Sequence, residues 1–213
     1  MESREGSVEG KTLAFYSACN YTHLVSMMNR GKSHLSPEYA LLGFLYQSPG
    51  YGYELHQKLQ GIFGDIWHAS QSQTYNILKR LEAQECLQSS VVEQNKLPAR
   101  QQLYITPKGR ERFETWLFEP TNSSVHAIRV EFLTRLYFTQ LLFPNRITAT
   151  VQAQVDTVES AIEALRQRLE TTAADQPFNR LALELRVELL NSVVRWLTDR
   201  VKSMEQGIPH AES

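Results

Sequence analysis

Two spacings of apolar residues divide this chain. Between Ser36 and Pro120, short stripes at helical spacing alternate with turn residues; beyond Ser124 the helical spacing runs on with one interruption. Ser36-Pro37 predicts a helix start, with serine as N-cap and proline in the first turn. Ala40, Leu41, Phe44 and Leu45 follow at core spacing, and Ser48-Pro49-Gly50 ends the helix. A second helix is expected from about Tyr51 to Phe63, with Leu55, Leu59 and Ile62 inward and Gly64 as its stop. Asp65-Ile66-Trp67 reads as a short extended piece.

Ser70 followed by Gln73 is a capping-box pattern and predicts a helix running to about Glu85. Thr74, Ile77, Leu78 and Leu81 make its apolar stripe. The opposite face carries Gln71, Ser72, Tyr75, Asn76 and Lys79. Donors and acceptors of this kind suit base edges in a major groove, with lysine meeting phosphate; a solvated helix face is the plainer reading of the same residues. Leu87, Ser89, Val91 and Glu93 then open a strand, Gln94 to Ala99 form a polar turn, and Arg100 to Ile105 a second strand. Lys96 and Arg100 at that tip are placed to meet backbone phosphate. Thr106-Pro107 caps a further helix bearing Phe113, Trp116 and Leu117, stopped by Pro120. Three helices, a hairpin and a closing helix describe a winged helix-turn-helix.

After a polar linker, Thr121 to Ser124, the chain reads as all helical. Ile147, Val151, Val155, Val158, Ile162, Leu165 and Leu169 step by four and three, a coiled-coil seam. Asp175-Gln176-Pro177 turns the chain, and Leu181, Leu185, Leu189, Val193, Leu197, Val201 and Met204 form a second seam. At 1.5 Å per residue each helix is roughly 40 Å long. Two such helices leave apolar surface for a partner, and a second copy is the economical choice, since a two-fold operator is matched by a dimer. The fold class expected is mainly α with a small β-hairpin. Residues 1–34 form an N-terminal extension, in which Leu13, Tyr16, Leu24, Met27 and Met28 fit a helical stripe only loosely. Residues 35–119 form the winged helix and 120–213 the dimerisation region.

Composition narrows the reading modestly. In 213 residues with 42% hydrophobic content there is material for a real core, and a net charge of −1 is not that of a generally basic nucleic-acid binder. The charge is unevenly placed, however: Ser70 to Arg112 holds seven cations against four carboxylates, and Pro144 to the end eight against ten. DNA binding needs such a local patch rather than a basic protein. Cys19 and Cys86 fit no metal or redox spacing, and the histidines, His68 and His126 among them, show no ligand spacing, so neither metal nor cofactor is expected. No run approaches the ~18 apolar residues of a membrane span, and a cytoplasmic chain is expected.

With these residues laid out, the chain resembles the PadR family of bacterial transcriptional regulators. The likeness rests on Ala40-Leu41-Leu42-Gly43-Phe44-Leu45, Gly50-Tyr51-Gly52-Tyr53-Glu54-Leu55, Tyr75-Asn76-Ile77-Leu78-Lys79-Arg80-Leu81-Glu82 and Ile105-Thr106-Pro107-Lys108-Gly109-Arg110, in that order. It implies a dimeric, winged-helix DNA-binding repressor, released by a ligand or signal, with Tyr75 and Lys79 as its DNA-facing pair. Two departures stand out. Glu85 occupies a place where the family tends to have glycine after the recognition helix. A left-handed non-glycine residue costs roughly 1 kcal/mol, so this helix end is expected to close differently. The second wing strand, Gln101-Gln102-Leu103, lacks the family's basic and tyrosine-rich character.

The aromatics Trp116, Phe132, Tyr137 and Phe138 gather round the linker. They are candidates for a small aromatic effector, and equally for filling the core between the two regions. An enzyme is not supported: there is no GxSxG, and Gly50-x-Gly52 has no dinucleotide-binding context. The competing class is a helical protein-interaction adaptor whose winged helix does not bind DNA.

Overall fold

The computed structural model describes residues 35–94 and 97–205, with side chains described except at 92–99 and 200–205. The expectations for residues 1–34, including Cys19, and for the side chains of Lys96, Val201 and Met204 lie outside the described residues. The chain folds mainly as helices round a small antiparallel sheet: α1 (Glu38–Gln47), β1 (Gly50–Tyr51), α2 (Gly52–Phe63), α3 (Gln71–Ala83), β2 (Leu87–Gln94), β3 (Leu97–Ile105) and α4 (Pro107–Phe118). The C-terminal helices follow: α5 (Val125–Ala127), a π-helical segment Ile128–Phe132, α6 (Leu133–Leu142), a 3-10 turn Pro144–Arg146, α7 (Ile147–Thr171) and α8 (Pro177–Glu205).

The sheet has the order β1-β3-β2. Gly50 and Tyr51, read from sequence as turn and helix start, pair with Leu103 and Gln102, so the hairpin gains a third short strand. The β2–β3 ladder runs from Leu87↔Ile105 to Gln94↔Leu97, with an irregularity between Val92 and Gln94, and β3 starts three residues before Arg100.

Several local expectations change. Ser36 does not cap α1; the helix opens from Pro37, whose carbonyl accepts from Leu41 N–H at 3.1 Å. In α2 the inward residue at the C-terminus is Phe63, while Ile62 points to solvent. Asp65-Ile66-Trp67 is a turn rather than an extended piece, because the amides of Ile66 and Trp67 both return to the Phe63 carbonyl. At the end of α3, Glu85 adopts φ 60°, so the helix closes in the left-handed way that glycine normally supplies. Thr106 Oγ1 donates to the Glu85 carbonyl, Cys86 N–H bonds the Leu81 carbonyl, and Lys108 pairs with the Glu85 carboxylate at 2.8 Å. These junction contacts offset the backbone cost.

Helix α1 is buried from Ala40 to Leu45, the signature of a helix at the centre of a core. Phe138 of α6 enters that core, edge-on to Phe44 and Phe113 at 5.5 Å each. Gly43 makes room for it: a Cβ there would lie 2.4 Å from the Phe138 ring. Trp67 Nε1 donates to Thr134 Oγ1 at 2.9 Å from the same helix. The polar linker is not loose at its start, since Thr121 is buried and its backbone N–H and C=O both bond the Gln154 amide.

The C-terminal core joins Ile128, Phe132 and Leu136 to the predicted α7 seam. On α8 the inward face is Leu183, Val187, Leu190, Val194 and Leu197. The predicted seam meets this face at Val193 and Leu197, but its first half is rotated away from it. Leu181, Leu185 and Leu189 are 59%, 58% and 45% exposed, and with Phe178 and Trp196 they form a second, outward stripe. Both stripes have helical spacing, and α7 can cover only one.

Candidate nucleic-acid interface

Helix α3 begins as its sequence requires. Ser70 Oγ accepts from Gln73 N–H at 3.2 Å, and Gln73 Oε1 accepts from Ser70 N–H at 2.8 Å. Thr74, Ile77, Leu78 and Leu81 are buried, and Thr74 contacts His56 Nδ1 of α2 at 3.0 Å. This locks the helix against α2 and leaves Gln71, Ser72, Tyr75, Asn76 and Lys79 together on the exposed face.

Tyr75 leans over the first turn of α2. A Cβ on Gly52 would come within 2.7 Å of its ring, so the glycine permits the ring's position. Tyr75, Lys79 and Arg100 line one cleft of about 410 Å³ between α2, α3 and the wing. The structure therefore brings Arg100 to the recognition face; Lys96 lies outside the described residues. Neither Lys79 nor Arg100 has a carboxylate partner among the described residues, whereas Arg80, Lys108, Arg112 and Arg135 are all ion-paired. Two unpaired cations beside a polar helix face are chemically suited to phosphate. Tyr53 is exposed and its hydroxyl accepts from Gln57, while Tyr51 is half-buried.

Sequence reading missed the groups that hold the wing. Ser89 Oγ donates to Glu82 at the end of α3 and accepts from Gln101 Nε2 at 2.6 Å. Gln101, in the strand that lacks the family's basic character, thus links the two wing strands through its side chain. It also missed Glu38, which joins α3 to α4 across 42 and 74 residues. No local pattern encodes such pairings.

The four effector candidates are packed against protein. Phe138 and Phe132 are 0% and 1% exposed, the first in the winged-helix core and the second in the C-terminal one. Tyr137 stands edge-on to Phe63 at 5.0 Å, and burial raises its hydroxyl pKa. Trp116 is stacked on Tyr39, donates to Glu131, and borders an open cleft of about 650 Å³. Among the described residues no group of His, Cys, Asp and Glu could hold a metal ion, and no helix is long and apolar enough to cross a membrane.

Residues 41–115 match the family model described as transcriptional regulator PadR-like family. The chain is 24% identical over 172 residues to the negative transcriptional regulator PadR of Bacillus subtilis, covering 75% of this chain and 92% of that protein. It is 23% identical over 184 residues to the probable transcriptional regulator Rv1176c of Mycobacterium tuberculosis, covering 79% and 97%. Among solved structures it is similar to Bacillus subtilis PadR in complex with operator DNA, at 21% identity and a TM-score of 0.38 over 78% of this chain and 96% of that one. The PadR-like regulator BC1756 of Bacillus cereus gives 23% identity and a TM-score of 0.39 over 81% and 98%.

Proposed function

The chain belongs to the PadR-like family of transcriptional regulators, and we propose that it binds double-stranded operator DNA as a homodimeric repressor. The observation that carries this reading is the outer face of α3, where Tyr75, Asn76 and Lys79 stand exposed opposite a fully buried stripe, with Arg100 across the same cleft. Gln71, Ser72 and Asn76 read base edges; Lys79, Lys96 and Arg100 meet phosphate; Tyr75 does either, held by Gly52. Residues 35–119 act as the DNA-binding domain, 120–213 as the dimerisation region, and 1–34 as an extension. The regulator works in the cytoplasm.

The outward α8 stripe supports the dimer. Each large apolar side chain moved fully out of water contributes about 1.5–3 kcal/mol, and among the described residues Phe178, Leu181, Leu185 and Leu189 are left largely exposed. Release by a small aromatic effector completes the reading. Because Trp116, Phe132, Tyr137 and Phe138 are packed on protein, an effector acting through them has to open the junction, and opening it respaces the two recognition helices.

A footprint on the DNA flanking the gene tests the proposal. The expected result is a two-fold symmetric protected stretch with half-sites about 34 Å apart and an affinity that falls steeply with salt. No protection, with no salt-dependent DNA binding, would overturn it in favour of a protein-binding adaptor.

A further inference from the structure

A continuous ladder of charges and rings runs from the recognition helix to the C-terminal helices. Arg80, on the flank of α3 one turn beyond Asn76, donates to Glu38 at 2.6 Å. The other Glu38 oxygen accepts from Arg112 of α4 at 2.5 Å. The Arg112 guanidinium lies 5.5 Å over the Tyr39 ring, and Tyr39 stacks on Trp116 at 4.5 Å with a 3° interplanar angle. The Arg135 guanidinium lies over the Trp116 ring at 4.7 Å. Glu131, in the π-helical segment, accepts from both Trp116 Nε1 and Arg135.

Both ends of this ladder are unusually committed. Exposed ion pairs restrain little, and Arg80 itself is half exposed, but the Glu38 side chain it meets is only 12% exposed and each of its oxygens is taken by a different helix. Arg135 is 4% exposed, and its Nε and Nη1 have no hydrogen-bond partner. A cation kept from water on so few contacts is costly, so the contacts it does make, Trp116 and Glu131, are its anchorage. Burial lowers the Arg135 pKa against the opposing pull of Glu131; burial also opposes the charge of Arg112, where Tyr39, Cys86 and Glu38 outweigh it and raise the pKa.

We propose that Glu38 is a positioning residue for the recognition helix, and that the Arg112–Tyr39–Trp116–Arg135 stack behind it ties the rotation of α3 to residues 128–142. Arg80 and Asn76 lie one helical turn apart on one side of α3, so the Arg80 tether sets the angle at which Asn76 and Tyr75 face outward. A shift in the C-terminal helices that moves Arg135 off Trp116 slackens the tether without touching DNA. The functional consequence rests on the DNA-binding reading above; the mechanical coupling does not.

Hydrogen exchange on the DNA-free full chain tests the coupling, with Glu38→Gln and, as a second variant, Arg112→Lys, which keeps the charge but loses the flat forked guanidinium. The expected result is faster exchange of amides 71–83, by about tenfold, and of amides 128–139 as well. Unchanged exchange at 71–83 overturns the positioning role; acceleration confined to α1 and α3 overturns the coupling. On the duplex protected in the footprint, Glu38→Gln is expected to lose about tenfold in affinity while a scrambled duplex is bound as before. Equal loss on both duplexes would mean general destabilisation and overturn the proposal. Arg135→Met should weaken specific binding in the same way, and its combination with Glu38→Gln should cost less than the two separate losses together. Strictly additive losses would also overturn the coupling. A wild-type chain that protects no duplex at all fails the DNA reading and leaves the exchange experiment to decide the coupling.

Discussion

In the winged helix every side of α1 is covered, whereas α8 leaves a whole stripe of apolar side chains in water. The difference comes from how many neighbours each helix has. Helix α1 is short and central: α2, α3, α4, β3 and α6 all pack on it, so residues from Ala40 to Leu45 are buried regardless of which way they point. Helix α8 is long and paired chiefly with α7, and a two-helix hairpin can bury one seam of each member and no more. The first region closes its core by borrowing Phe138 from the second; among the described residues no further helix lies over the α8 stripe. One end of the molecule is therefore complete as folded, and the other presents the surface on which a second copy is proposed.

The largest effect is expected where the two regions share a side chain. Phe138→Ala should destabilise the chain by about 3–5 kcal/mol, because the ring is fully buried among Phe44, Phe63 and Phe113. Urea unfolding measures this. A fragment ending at Pro120 loses the same ring and the Thr134 acceptor of Trp67, and should unfold far more readily than the intact chain. If that fragment melts like the whole protein, the winged-helix core does not depend on α6.

Next in size is the outward stripe. The double change Leu185→Glu with Leu189→Glu should raise the dimer dissociation constant by at least about a hundredfold, read by analytical ultracentrifugation, with helix content unchanged because neither residue faces α7. The same double change at the inward positions Leu183 and Leu190 should instead unfold the hairpin. Equal outcomes for the two pairs would erase the distinction between the faces.

Smaller again is Lys79→Ala. It should weaken binding to every duplex by about tenfold and lower the salt slope by about 1, as loss of one phosphate contact does. Asn76→Ala should relax preference at particular base pairs and leave the slope alone. A salt titration with specific and scrambled duplexes separates them.

The smallest change sits at the end of α3. Glu85→Gly relieves the left-handed φ and is expected to alter stability by no more than about 1 kcal/mol. It also removes the exposed pair with Lys108, whose hydrogen bond and charge hold the Glu85 carboxyl below its usual pKa. That contribution is present above the unfolded carboxylate range and is lost as pH falls through the folded value. The variant should therefore show a slightly flatter acid limb in a pH series of denaturant melts.

The sequence alone determined the elements whose signals are local. The Ser70–Gln73 capping box, the Thr106-Pro107 start, the α7 seam and the polar face of α3 depend on residues three or four apart, and each stands where its spacing placed it. Tertiary structure decided whatever had two local solutions or none. Leu181-Leu185-Leu189 and Leu183-Val187-Leu190 are both helical stripes on α8, and periodicity cannot say which one α7 will cover. Glu85 is disfavoured by its own backbone, yet Thr106, more than twenty residues away, bonds its carbonyl in the left-handed conformation. Phe138, Gly43 and Glu38 acquire their roles only when distant helices meet, because close packing and ion pairing act through space and leave no period in the chain.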